Sequence, residues 1–136
     1  MVVNQKQKQK ISNWLDPVYF VQNVIGENLY RKQGDILHAI QENPFVSVVG
    51  ANGTGKDWTT GRLICWWLAM QEEAVVVVLG PSYRQVADIV WKEVRVAYTE
   101  AIKRGNPLGG KIGKSPRWEI NDRRYAVGFS TSDEFN

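Results

Sequence analysis

Hydrophobic residues recur with helical spacing in three parts of the chain. Between residues 31 and 41 they form one face of a predicted helix, which Asn43-Pro44 ends. A second helix is predicted over Lys56–Met70, where apolar residues predominate. A third helix begins at Ser82, which together with Gln85 matches a capping box. Its predicted apolar stripe consists of Val86, Val90, Val94, Tyr98 and Ile102.

Four short segments predict β-strands. Phe45–Val49 precedes the second helix, and Ala74–Leu79, which follows that helix, contains four consecutive valines. Because no polar residue interrupts the valines, we expect burial on both faces, as in a parallel sheet between helices. Arg117–Ile120 and Arg124–Phe129 flank Asn121-Asp122 and predict a hairpin. This order predicts an α/β fold with a mainly parallel sheet flanked by helices, in which a right-handed β-α-β unit joins the first two strands.

The composition is typical of one folded domain. The chain has 136 residues, of which 43% are hydrophobic, enough to form a core. Residues 1–12 are polar and predict a flexible arm, so we assign residues 13–136 to the domain. A single cysteine and a single histidine exclude a disulfide framework, a thiolate zinc site and a multi-histidine metal site. No apolar run approaches the roughly 20 residues of a membrane span, and the first residues do not resemble a secretory signal.

The strongest chemical signal is a glycine-rich run between the first strand and the second helix. It consists of Gly50, Ala51, Asn52, Gly53, Thr54, Gly55 and Lys56. The spacing of glycine, four residues, glycine and lysine is that of a phosphate-binding loop, which requires a strand before it and a helix after it. Its glycines let backbone amides turn toward a phosphate, and Lys56 can reach the terminal phosphates of a nucleotide. The alternative is an ordinary glycine-rich turn.

The residue after the lysine departs from the usual pattern. This position normally carries serine or threonine, whose hydroxyl binds Mg²⁺, whereas this chain has Asp57. A carboxylate is also a hard oxygen ligand, so Asp57 is a candidate Mg²⁺ ligand. Alternatively, its negative charge simply suits the positive end of the helix dipole.

Two further polar residues are candidates for the same site. Gln33 precedes the loop by about twenty residues, and an amide side chain can both donate to and accept from an adenine edge. Arg84 follows the second predicted strand, at the sheet edge where ligands of α/β folds bind. The alternative for each is a solvated surface side chain.

The charge distribution permits contact with nucleic acid. Seventeen basic and fourteen acidic residues give a net charge of +3. Basic residues concentrate in the last third of the chain, and they predict salt-sensitive, sequence-independent binding of double-stranded DNA. The residues concerned are Lys103, Arg104, Lys111, Lys114, Arg123 and Arg124. The alternative is that these charges only solvate loops.

Several of these segments together resemble a known family. Leu29–Gln33, Val49–Trp58, Gly80–Val86 and Val127–Ser130 are similar to the N-terminal ATPase region of tailed-phage terminase large subunits, over about residues 18–136. In that family an ATPase domain drives viral DNA into a procapsid, and a C-terminal nuclease cuts the DNA. The resemblance implies part of a P-loop NTPase core of the RecA/ASCE type, with ATP and Mg²⁺ as ligands.

The resemblance also implies roles for individual residues. Gln33 is similar to the adenine-contacting glutamine, Gly50–Asp57 to the triphosphate loop with Asp57 at the metal, and Lys56 and Arg84 to catalytic residues. The implied partners are double-stranded DNA, the portal and the small terminase subunit. A homo-oligomer on the procapsid in the host cytoplasm is implied as well.

One element of a complete ATPase is missing from the pattern. An acidic residue after a buried strand holds Mg²⁺ and activates water, but Asp133-Glu134 follows only polar residues. We therefore expect an N-terminal fragment, truncated before that acidic strand, which binds ATP with little hydrolysis. The alternatives are another ASCE ATPase, such as a helicase or a DNA-repair ATPase, and a non-hydrolysing nucleotide- or DNA-binding module.

Overall fold

The first described helices pack around the amino-terminal part of the core. The computed structural model of the protein describes residues 4–5, 14–50 and 55–132, so most of the predicted arm lies outside the described residues. Helix α1, Pro17–Phe20, begins where the Asp16 carboxylate accepts a hydrogen bond from the Val18 amide at 2.9 Å. A π-helix, Val21–Ile25, continues it. The buried side chains of these two elements join the hydrophobic core.

The three predicted helices are all present. Helix α2 covers Arg31–Glu42 and ends at Asn43, and helix α3 covers Lys56–Met70. The third predicted helix consists of a second π-helix, Gln85–Val90, and helix α4, Trp91–Lys103. In its predicted capping box, the Ser82 hydroxyl accepts a hydrogen bond from the backbone amide of Gln85 at 3.2 Å.

The predicted stripe of the third helix is only partly buried. Val86, Val90 and Val94 lie in the core, but Ile102 is exposed, and Ala97 and Ala101 are buried instead. A spacing of four residues exceeds the 3.6 residues of an α-helical turn, so such a stripe gradually rotates away from the core.

The sheet has four strands in the order β1-β4-β3-β2. Strand β1 covers Ala74–Gly80, β2 Lys111–Ile112, β3 Arg117–Asn121 and β4 Arg124–Ser130. The fold is therefore α/β, and the predicted hairpin is confirmed. However, only β1 and β4 are parallel, whereas the β3–β4 and β2–β3 pairs are antiparallel. The prediction of a mainly parallel sheet was wrong, because the hairpin and the added strand β2 make two of the three strand pairs antiparallel.

Phe45–Val49, the predicted strand before the glycine-rich loop, does not form a strand. Phe45 and Val49 are 93% and 96% exposed, and the segment pairs with no strand in the described part of the chain. The predicted β-α-β unit is consequently absent there. Strand formation requires backbone hydrogen bonds to a neighbouring strand, which local sequence does not provide.

Strand β1 is not buried on both faces. Ala74, Val76 and Val78 contribute to the core, whereas Val75, Val77 and Leu79 are between 52% and 66% exposed. Leu79 lies beside Phe129 of β4, which is also exposed. Helices therefore cover the inner face of β1, and the run of valines was misinterpreted as a strand enclosed on both sides.

Candidate functional site

The amino-terminal end of helix α3 carries the described part of the glycine-rich loop. Gly50 and Gly55 are described, whereas Ala51, Asn52, Gly53 and Thr54 lie outside the described residues. Gly55 adopts a left-handed conformation, with φ of 81°, immediately before Lys56. This conformation favours glycine and lets the chain turn sharply into the helix.

The Gly55 carbonyl group is fixed by the first turn of α3. It accepts hydrogen bonds from the Thr59 amide at 3.0 Å and from the Thr59 hydroxyl at 2.8 Å. The Thr60 hydroxyl likewise donates to the Lys56 carbonyl at 2.8 Å. Both hydroxyls thus bond to carbonyl groups of the helix itself.

Lys56 spans the ends of the glycine-rich loop. Its ammonium group donates to the Gly50 carbonyl oxygen at 2.6 Å. This contact places a positive charge between the two ends of the loop, next to the helix terminus whose free amides favour anions. The arrangement has the charge and the donors that a phosphate group requires.

A cavity of about 230 Å³ lies beside Lys56. Its polar side is formed by Lys56, Thr59 and Thr60. Its apolar side is formed by Ile36, Ile40, Val48 and Leu63. The cavity therefore joins the charged end of α3 to α2 and to the exposed segment before the loop.

The structure brings Gln33 against the loop. Gln33 lies in the first turn of α2 and is only 6% exposed. Its amide nitrogen is 3.5 Å from the Gly55 carbonyl oxygen. Two candidates that are 22 residues apart in sequence are thus neighbours.

Asp57, the candidate metal ligand, is exposed in the first turn of α3. One carboxylate suits Mg²⁺, which commonly takes one or two protein carboxylates together with substrate phosphates. Among the described residues there is no group of three or more histidine, cysteine, aspartate or glutamate side chains that could hold a metal ion.

Arg84 is exposed and lies beyond the carboxyl end of β1, the position after a strand that the sequence predicted. It makes no hydrogen bond or ion pair with the described residues, so no such contact links it to Lys56 or Gln33. Gly80, which ends β1, accepts a hydrogen bond from the Thr131 amide at 3.0 Å. The carboxyl ends of the two parallel strands are therefore joined next to Arg84.

Sequence reasoning missed a buried charge cluster in the middle of helix α3. Arg62 is 1% exposed; its guanidinium group donates to both Glu27 carboxylate oxygens, at 3.0 and 2.9 Å, and to Glu93 at 2.6 Å. It also stacks on the Trp58 ring at 4.3 Å. The available signal was a lone arginine between Gly61 and the apolar stretch Leu63–Leu68. A buried arginine requires acidic partners.

The basic residues of the last third have different environments. Arg124 donates to the Leu68 carbonyl at 2.6 and 3.2 Å, and Arg123 pairs with Glu73. Lys103 pairs with Glu100, whereas Lys111 and Lys114 are exposed around β2. Arg124 therefore has a structural contact, whereas the Arg123 side chain stays 78% exposed despite its ion pair.

No protein-family model, curated protein or solved structure matches the chain. In the part of the chain that the structure describes, no helix combines the length and the apolar character that crossing a membrane demands.

Proposed function

We propose that the chain binds the triphosphate of ATP at Gly50–Lys56 and forms the ATP-binding part of a terminase-type DNA-packaging motor, with a P-loop NTPase core. The observation that carries this proposal is the contact of the Lys56 ammonium with the Gly50 carbonyl, across the ends of the loop and beside the terminus of α3. The assignment to a terminase-type motor rests in addition on the resemblance of the loop, Gln33 and the Arg84 segment to terminase large subunits.

A phosphate group can replace the Gly50 carbonyl as the acceptor for Lys56. The present acceptor is a neutral carbonyl oxygen, 2.6 Å from the ammonium nitrogen. The present bond already has a charged donor, and an anionic phosphate acceptor would add Coulomb attraction between two opposite charges. The exchange is therefore favourable, and it would free the Gly50 carbonyl as the ligand enters.

Asp57 would contact Mg²⁺ that accompanies the nucleotide. The metal, when bound, neutralises charge on the phosphates. The role of the Asp57 carboxylate would be to hold the metal ion at the first turn of α3, where this side chain is exposed. We propose binding with little hydrolysis, because the residues after β1 and β4 in the described chain, Pro81 and Thr131, are not acidic.

A fluorescence titration with an N-methylanthraniloyl derivative of ATP tests the proposal. Trp58 lies two residues after Lys56 and provides an energy-transfer donor. We expect saturable binding that Lys56→Ala weakens at least about tenfold, as for the loss of a charge-assisted contact. Lys103→Ala is the matched control and should bind like the parent, since Lys103 is exposed and pairs with Glu100. Equal binding by the parent and Lys56→Ala would contradict the proposal. In a separate assay, phosphate release from ATP by the parent protein should stay near background.

We also propose that the exposed lysines near β2 contact the backbone of double-stranded DNA. Arg95 donates to the carbonyls of Gly113 and Lys114 at 2.8 and 3.0 Å, which holds this loop against α4 while Lys111 and Lys114 stay exposed. Two phosphate contacts, one from each lysine, would give a log–log salt slope of about −2 on duplex DNA. A mobility-shift series should show weaker binding for the double variant Lys111→Ala, Lys114→Ala. Equal binding by the parent and this variant would contradict the proposal.

A further inference from the structure

The position of Gln33 suggests a role other than base recognition. Arg31 and Lys32, its neighbours in the first turn of α2, are exposed, whereas Gln33 is 6% exposed. Burying an amide costs free energy unless its polar atoms have partners. The partners of Gln33 therefore indicate what the residue does.

Both ends of the Gln33 amide have a backbone partner. Its oxygen accepts a hydrogen bond from the Tyr30 amide at 2.8 Å, which caps α2. Its nitrogen faces the Gly55 carbonyl at 3.5 Å. Contact with an adenine edge would have to use the second N–H and the second lone pair of this amide, and the side chain is only 6% exposed.

Gly55 is shaped to receive this side chain. A Cβ atom at position 55 would lie 2.5 Å from the Gln33 amide nitrogen, a distance that side chains do not tolerate. Position 55 also has the positive φ of 81° that favours glycine. The backbone conformation therefore favours glycine, and a Cβ atom here would displace the Gln33 amide from the Gly55 carbonyl.

We propose that Gln33 is a positioning residue for the phosphate loop, and that this site selects the triphosphate group rather than the adenine base. Gln33 links the capped end of α2 to Gly55, from which α3 and the Lys56 side chain extend. This inference rests on the proposed function for the ligand, but the contact itself is a property of the ligand-free protein.

The variant Gln33→Glu removes the donor while keeping an acceptor for the Tyr30 amide. A negative charge in the first turn of a helix is favourable, so α2 should still form. Gln41→Glu is a matched control on the same helix, because Gln41 also donates to a backbone carbonyl, that of Leu15, at 2.9 Å. Circular dichroism should show the same helix content in all three proteins.

Competition against the fluorescent nucleotide measures selectivity. Gln33→Glu should weaken the binding of ATP, GTP and inorganic triphosphate by the same factor, about fivefold to tenfold for one lost hydrogen bond. Gln41→Glu should bind all three like the parent. A loss confined to ATP, with inorganic triphosphate unaffected, would identify Gln33 as a base-reading residue and overturn the inference.

Hydrogen exchange without nucleotide separates this inference from the proposed function. Gln33→Glu should accelerate exchange of the Thr59 amide, which donates to the Gly55 carbonyl, at least about threefold, whereas Gln41→Glu should not. Unchanged exchange at Thr59 would overturn the positioning role whether or not nucleotide binds. If Gln33→Glu accelerates Thr59 exchange but the parent binds no triphosphate, the contact of Gln33 with Gly55 stands. The proposed function is then wrong, and so is the proposed selectivity for the triphosphate group.

Discussion

Two valine-rich segments, Phe45–Val49 and β1, flank helix α3 and have different structures. Strand β1 pairs with β4 along seven residues, and its inner side chains join the core. Phe45–Val49 is exposed and pairs with no strand of the described chain. The two segments have similar β propensity, so the difference comes from the partner: β4 lies about fifty residues after β1 and supplies its hydrogen bonds.

The helix between them is anchored independently of either segment. Arg62, in the middle of α3, pairs with Glu27 before α2 and with Glu93 of α4. The Gly55 carbonyl is bonded to Thr59 and approached by Gln33. The candidate phosphate site therefore depends on packing between helices, even though its preceding segment is not part of the sheet.

Arg62→Ala should have the largest effect on this anchoring. It leaves two partly buried carboxylates without their partner, which we expect to lower the free energy of unfolding by about 3–5 kcal/mol. Urea denaturation measures the loss. Arg84→Ala is the control and should change stability by less than about 0.5 kcal/mol, because Arg84 is exposed. A loss below about 1 kcal/mol for Arg62→Ala would show that α3 is held in another way.

Adjacent valines of β1 should differ in their effect on stability. Val76→Ala removes inward-facing atoms and should cost about 1–2 kcal/mol, whereas Val77 is 53% exposed and its replacement by alanine should cost less than half as much. Chemical denaturation of both variants checks the one-sided burial. Equal losses would indicate that the outer face of β1 is also covered in solution.

The valine runs mark the limit of what the sequence predicts here. Helices α2 and α3 follow from local spacing and from Asn43, and the hairpin follows from Asn121-Asp122. The sidedness of β1 and the absence of a strand at Phe45–Val49 depend on distant partners, which local patterns do not contain. The same applies to the site: its spacing predicts a phosphate-binding loop, but the contact of Gln33 with Gly55 and the partners of Arg62 required the folded chain.

Cys65 should make stability fall at alkaline pH. The thiol is fully buried in α3, and burial raises its pKa from 9.0 to about 12. Its raised pKa in the folded state means that the unfolded chain loses the thiol proton first. Stability should therefore decrease as pH rises from about 9 toward 12, by about 1 kcal/mol at pH 10 relative to Cys65→Ala. Denaturation of both proteins at pH 8 and pH 10 measures this, and an unchanged difference between them would contradict the burial of the thiol.

The smallest effect is expected in the unpaired segment. Val49→Ser should change the free energy of unfolding by less than about 0.5 kcal/mol, because Val49 is 96% exposed. The comparison is with Val76→Ser in β1, which places a hydroxyl against the core. Because apolar burial is lost, this variant should lower the free energy of unfolding by more than about 1 kcal/mol. Comparable losses would place Phe45–Val49 in a buried strand.

An NMR titration of the ¹⁵N-labelled protein with ATP and Mg²⁺ tests the central claim most directly. If the loop binds the triphosphate, the largest shift changes will fall on the backbone amides of Gly50, Gly55, Lys56 and Asp57, and Lys56→Ala will abolish them at the same nucleotide concentration. If these amides do not respond, or if the changes concentrate elsewhere and persist in Lys56→Ala, the glycine-rich run is an ordinary turn between the exposed segment and α3.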